Sequence, residues 1–506
     1  MRWNADRRRL DTGRSLDADA LCLGALLAAG LTVVVPVLSL VTPVPTLVWV
    51  ALVGVGYGAV AVAVGRATVG VYASLLVTAT FAANVPLASG AYLRSMTRDL
   101  GPNVWLAHLP LALLLVLLAH EDRERFVDLS RAEWLLGGFV GWVVVAAVVS
   151  HPVRVDTALY FALFVLWGGL VFAAVRRAHH VLRVSPTTTL SVLATTVAFK
   201  AGFGVAEAVH GASFGLTQLG ELSPELAVRL ATLPLGPVSV SVGTYVSGFA
   251  GMSFLLGSLV VLTLPFALAL TLDPETRTRR VGAFAALLLA VALRLTGTDA
   301  GRGAALLALA CFAAWVAARR RATPTAWRRE RLLRLALVAA ACVVVLLLPS
   351  TQSGVPNVTG PAPVATGVSI PLFDLSNLGV RLRQYAAGLA LFLTHPLFGI
   401  GGANFPDVAA TYGIPDHLPI HNVYVALLAE TGVVGFVLYV GFLLAVLRGG
   451  VRNAMAPTAS PRRAAAFTGV VGYLGFMFWD YMLFDSVASS FAFYAVCAVL
   501  VADAER

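Results

Sequence analysis

Charge is what this 506-residue chain has least of: 12% of its residues are Asp, Glu, Lys or Arg, and Lys200 is its single lysine. Soluble domains carry about twice that charged fraction, so an ordinary globular fold is excluded. Cysteine is also scarce. Cys22, Cys311, Cys342 and Cys497 lie singly inside apolar stretches with no CxxC spacing, which reads as small buried hydrophobes and implies neither disulfide nor metal. No Walker A, HExxH or EF-hand pattern occurs, so nucleotide hydrolysis and tight metal binding have no visible machinery and no cofactor is expected. The formal net charge of +10 is spread in short Arg clusters between apolar runs. That is a membrane topology signal, not a nucleic-acid surface.

What is present is grease. Hydrophobic residues make up 58% of the chain and the mean hydropathy is +0.84. Apolar stretches of about 17 to 25 residues, each long enough to cross a hydrocarbon core as a helix, recur from end to end. The expected fold is all-α and polytopic, with about 14 spans beginning near residues 19, 46, 68, 104, 133, 157, 187, 245, 281, 302, 332, 421, 464 and 484.

The connections orient these spans. RRAHHVLR (176–183), LDPETRTRR (272–280), RRRATPTAWRRER (319–331) and RGGVRNAMAPTASPRR (448–463) are short and Arg-rich, and the positive-inside rule puts them in the cytoplasm of a multi-pass plasma-membrane protein. Both termini are then cytoplasmic. No small-residue cleavage site follows the first apolar run. The expected division is a tail (1–18), N-terminal spans (19–280), further spans around Arg302 (281–349), one long external loop (350–420) and C-terminal spans (421–506). A second external stretch, about 205–244, contains the amphipathic ELSPELAVRLATL, expected to lie along the membrane surface.

The long loop begins as irregular STQSGVPNVTGPAPVATGVSIP, with a sequon at Asn357, and continues as RLRQYAAGLALFLTHP. Apolar residues at helical spacing make the latter an interfacial helix presenting Arg381 and Arg383 near the headgroups. HPLFGIGGANF and then LPIHNVYV follow, placing His421 and Asn422 at the external mouth of the next span. His421 is either a general base, since imidazole titrates near neutrality, or a polar residue at a helix start; Asn422 suits either setting. Arg302 opens a span on the same external face. The positive-inside rule gives an Arg no reason to be there, so it either snorkels to headgroup phosphates or binds a phosphate-bearing substrate, with Arg294 as a weaker second. Lys200, Glu430 and Asp480 are the ionisable groups inside apolar runs: Glu430, before Thr431-Gly432, reads as a structural break, and Lys200 and Asp480 as near the outer interface.

Three pieces stand in order: LRLTGTDAGRGAALLAL around Arg302, RLRQYAAGLALFLTHPLFGIGGANF, and HNVYVALLAETGVVGF. Together they resemble the signature of the O-antigen ligase and O-antigen polymerase superfamily. The specific part spans about 381–440: a basic residue, an aromatic four later, HPLFGIG, HN-x-Y and E-x-G-x-x-G-F. The resemblance implies a GT-C-like membrane fold and metal-independent transfer of a glycan, on the outer face, from a polyprenyl (di)phosphate carrier to a glycan, lipid or protein acceptor. It makes Arg302 and Arg381 the diphosphate pair and His421 the base or phosphate contact. Tyr385 stands where the family usually has Trp, and Gly301 precedes Arg302 where the family usually has Ser. TPVPT, the first predicted external loop, lacks the carboxylate that metal-dependent GT-C enzymes place there. A polymerase of lipid-linked repeat units uses the same chemistry. A transporter of lipid-linked sugars is the rival of another class, but it calls for midplane charges in matching halves, whereas here polar residues gather at one face.

Overall fold

A computed structural model describes residues 21, 23–30, 55–57, 59–60, 63–64, 67–82, 84–86, 103–121, 128–150, 152–216, 220–221, 229–235, 238–323, 329–348, 378–414, 418–457 and 459–502. The cytoplasmic tail expected at 1–18, the expected span starts at 19 and 46 for the most part, and the first half of the long loop lie outside the described residues. The twelve other expected spans each correspond to a helix: α1 (Ala67–Thr78), α2 (His108–Glu121), α3 (Arg131–Val149), α4 (Val155–Val181), α5 (Pro186–His210), α6 (Ser253–Leu270), α7 (Thr276–Leu295), α8 (Asp299–Ala322), α9 (Arg329–Leu347), and, after the loop helix α10 (Leu378–Thr394), α11 (Val423–Met455), α12 (Pro461–Phe476) and α13 (Val487–Ala502). Six of them, α3, α4, α5, α6, α8 and α11, are long and apolar enough to cross a membrane; the others are shorter or more charged. The protein is an all-α polytopic membrane protein.

Two small antiparallel β-hairpins decorate the bundle, β1 (Asn84–Pro86) with β2 (Asn103–Trp105) and β3 (Arg229–Leu235) with β4 (Val238–Thr244). The second replaces part of the surface segment expected from ELSPELAVRLATL. The reason is local: VSVSV alternates with period two, and a Gly-Pro dipeptide separates it from the preceding run, which favours a hairpin over a continued helix. It also moves the start of α6 from the expected 245 to Ser253.

The core is built on α6 and α13, apolar all round and buried along nearly their whole length. Such helices belong at the centre of a bundle. α13 packs on α4 and α11, α6 on α7, α8 and α12. Small residues bring the backbones together, since a Cβ on Gly168 of α4 would stand 2.3 Å from the Tyr494 ring of α13. Several polar groups caught inside pair with one another: Tyr473 and Ser258 both meet Ser489, at 2.6 and 2.7 Å, and Tyr439 meets Tyr494 at 3.1 Å. Lys200 is fully buried on α5. Its ammonium donates to the Thr80 carbonyl and lies 4.8 Å from the Phe81 ring centroid, contacts that replace water.

Successive helices alternate in direction. The N-termini of α4, α6, α8 and α11 and the C-termini of α3, α5, α7, α9 and α12 therefore share one face. The Arg-rich connections gather on the other, where Arg462 pairs with Asp273 and Arg319 donates to the Ala456 carbonyl.

Candidate active site

α10 carries an apolar stripe of Ala387, Gly388 and Leu391 that packs on the start of α11. Gly388 is required by close approach: a Cβ there would lie 2.7 Å from Val425 and 2.8 Å from Ile420. Gln384 continues the stripe and is fully buried. Its Oε1 stands 2.9 Å from Nδ1 of His421 and also accepts the His421 backbone N–H at 3.4 Å. Because a backbone N–H only donates, the shared atom is an acceptor and the ring nitrogen facing it carries the proton. Nε2 of His421 is then the basic nitrogen.

Tyr385, beside Gln384, ties the same residue from its backbone: its hydroxyl donates to the carbonyls of His421 at 2.9 Å and Phe478 at 3.1 Å. Asn422 accepts the N–H groups of Tyr424 and Val425 at 3.0 and 3.1 Å and so caps α11. The His421 pKa is lowered, first by burial, with the nearby Asp480 carboxylate raising it in part and the Arg381 guanidinium lowering it further. The imidazole is therefore neutral around pH 7 and able to take a proton. Arg383, exposed two residues beyond Arg381, points elsewhere because two residues turn a helix by about 200°.

The second cluster lies at the start of α8. Arg302 is buried, pairs with Asp299 one turn earlier, and donates to the Leu346 carbonyl at 3.4 Å, while its Nε finds no partner. Arg294 donates to the Leu348 carbonyl at 3.0 Å. Both guanidinium groups thus hold the C-terminal carbonyls of α9, where a helix favours positive charge, and they stand close enough to repel each other. Gly301 explains the departure from Ser: a Cβ there would lie 3.0 Å from Thr298 Oγ1, 3.2 Å from Leu293 and 3.4 Å from Phe476.

Among the described residues no hydrogen bond or ion pair joins Arg302 to Arg381 or His421. The turn after α12 bridges the two clusters. Phe476 faces Gly301, the Met477 carbonyl accepts the Val423 N–H at 2.9 Å, and Phe478 binds Tyr385. Asp480, in the same turn, contributes the acid beside His421. The expected positions are thus brought to one face, in two groups: Arg381, Tyr385, His421 and Asn422 in one, Arg294 and Arg302 in the other. Sequence reading missed Gln384, although a lone amide in phase with an apolar stripe was a readable sign.

HPLFGIG has a structural role. α11 breaks at Gly432 (φ 66°, ψ −173°), and the loop inserts into the break. The Ile400 N–H takes the Ala429 carbonyl at 3.0 Å and the Val433 N–H goes to the Pro396 carbonyl at 2.8 Å. These two groups would otherwise have bonded each other across one helical turn. Trp142 Nε1–H takes the freed Thr431 carbonyl at 2.8 Å, and its ring stacks on Phe398 at 4.9 Å. Glu430, buried at the structural break expected of it, accepts from the Phe405 N–H at 3.3 Å and the Tyr481 hydroxyl at 3.1 Å. Backbone away from regular helix is tolerated at this depth only when satisfied in this way.

Among the described residues no group of three or more His, Cys, Asp or Glu side chains could hold a metal ion. Residues 284–440 match the family described as O-antigen ligase, an interval that contains both clusters and the inserted loop. No curated protein matches the chain.

Proposed function

Starting from the match of residues 284–440 to the O-antigen ligase family, we propose that the chain transfers an oligosaccharide or polysaccharide from a polyprenyl (di)phosphate carrier to an acceptor hydroxyl at the outer membrane face, without a metal ion. The observation that carries this reading is the His421 ring, held by Gln384 with Nε2 left as the base and with Arg381 one helical turn before Tyr385 on the same wall.

The acceptor O–H gives its proton to Nε2 of His421 as its oxygen bonds to the anomeric carbon. The bond from that carbon to the carrier phosphate breaks, and the leaving (di)phosphate takes the electron pair. Its growing charge needs fixed cations. Guanidinium is always protonated and binds phosphate oxygens through two parallel N–H groups, which suits Arg381 and Arg302 to the task. Arg302 keeps N–H groups uncommitted beyond Asp299 and the α9 carbonyl. Arg294 is the surrounding substrate-binding residue of this proposal; Tyr385 and Asn422 act by fixing the His421 backbone and the start of α11, and Arg383, turned away from this wall, stands outside it.

Polymerisation of lipid-linked repeat units would use the same groups. In a deletion strain, accumulated full-length lipid-linked chains mark a ligase and accumulated single repeats a polymerase. The test of the site is transfer per molecule, normalised to protein in the membrane, for His421→Ala together with binding of a lipid-linked donor. Transfer should be abolished with donor binding largely kept. Near-normal turnover would remove His421 from the chemistry.

A further inference from the structure

On the face opposite His421, the ends of five helices enclose a cavity of about 530 Å³. Its walls come from the first turns of α5 and α9, the last turns of α6 and α8, and the turn into α12. Three arginines line it, Arg319, Arg331 and Arg462, against one carboxylate, Asp273. Arg462 already pairs with Asp273. Arg319 lies over the Trp315 ring at 5.7 Å and donates to the Ala456 carbonyl, which leaves its charge in place. Among the described residues no carboxylate pairs with Arg319 or Arg331. The cavity therefore holds two guanidinium charges without counterions.

Hydroxyl donors accompany them. Ser460 accepts the Arg463 N–H at 3.4 Å as cap of α12, so its own proton remains to be donated, and Thr187 also opens into the space. Leu272 and the Trp315 face supply an apolar wall. A free anion would need only the cations. Two unpaired guanidinium groups beside an apolar wall, at the level where the helices leave the bilayer, suit a phosphate attached to a hydrocarbon body. The space is also within the usual size of a pocket for a small organic ligand.

The geometry points to this cavity as a binding site for the phosphodiester headgroup of an anionic phospholipid, in the leaflet away from the candidate active site. It is independent of the chemistry proposed there.

The test uses the full chain in neutral detergent and follows its thermal unfolding as phosphatidylglycerol is titrated into the micelles. Phosphatidylglycerol should raise the melting temperature, while phosphatidylcholine at equal mole fraction and millimolar inorganic phosphate should not. Arg331→Gln and Arg319→Gln should each raise the half-saturating mole fraction about tenfold, the loss expected for one charge-assisted contact. Arg448→Gln, exposed toward the end of α11 and outside the cavity, should titrate as the wild type. Among the described residues the Arg331 side chain makes no hydrogen bond or ion pair, so its variant decides the matter if Arg319→Gln destabilises the protein. An equal shift from phosphatidylcholine or from phosphate alone, or unchanged titration of Arg331→Gln, would overturn the lipid site.

Discussion

Gln384 offers the sharpest test of how the site works, because its effect on the base separates cleanly from its effect on the fold. Gln384→Leu removes the oxygen that accepts Nδ1–H and the backbone N–H of His421. The nearer of those bonds contributes about 1 kcal/mol net. The same change removes Nε2 of Gln384, a buried donor without a partner, whose desolvation costs about 1 to 3 kcal/mol. The two contributions offset each other, so protein level and melting temperature should stay near wild type. Catalysis should not. Without the acceptor, the imidazole loses a bias of about 1 kcal/mol toward the tautomer with Nε2 free, together with its orientation, and turnover should fall about tenfold or more with little change in KM. Gln384→Glu makes the discrimination independent of rate. A carboxylate beside Nδ1 favours the imidazolium and raises the His421 pKa, so the acid limb of the pH–rate profile moves to higher pH. Activity should drop at pH 6 and recover toward wild type at pH 8. Asp480→Asn removes a negative neighbour and should move the same limb the other way. Wild-type turnover in Gln384→Leu, or pH profiles that do not move in these opposite senses, would refute the positioning role.

Arg302→Lys and Arg381→Lys keep the charge but lose the paired N–H geometry, and expression-normalised assays should find turnover reduced about tenfold or more; reduced protein level with normal turnover would instead mark both as structural anchors. Gly432→Ala puts a Cβ 2.1 Å from the Leu397 carbonyl oxygen at a φ of 66°, a strain of about 2 kcal/mol or more, so less folded protein should reach the membrane while turnover per molecule is kept. Cysteines replacing Ser353 and Thr325 should respectively react and fail to react with an impermeant thiol reagent in intact cells, as the Arg distribution requires. Transfer in purified membranes should survive chelation, and restoration by an added divalent cation after loss would place the enzyme in another mechanistic class.

The sequence by itself determined the class of protein, the order of its helices, and the common face of Arg302 and His421. Apolar run length, helical period and Arg-rich turns are local properties, and the bilayer restricts what such segments can become. It also carried the phase of Arg381 and Tyr385 on α10 and the break at Glu430-Thr431-Gly432. Only the tertiary structure decided what these parts do together. HPLFGIG stands in the sequence only as part of the stretch that carries the family resemblance, yet its backbone replaces a broken hydrogen bond of α11, since a freed carbonyl and N–H in that setting must find partners. Gln384 becomes the partner of His421, 37 positions away, only once Gly388 lets α10 close on α11. Lys200 turns inward because the Thr80 carbonyl and the Phe81 ring, distant in sequence, are there to receive it. The cationic cavity arises from arginines in separate turns that the bundle brings together. Period and length fix each element alone, whereas packing chooses which buried polar group each one meets.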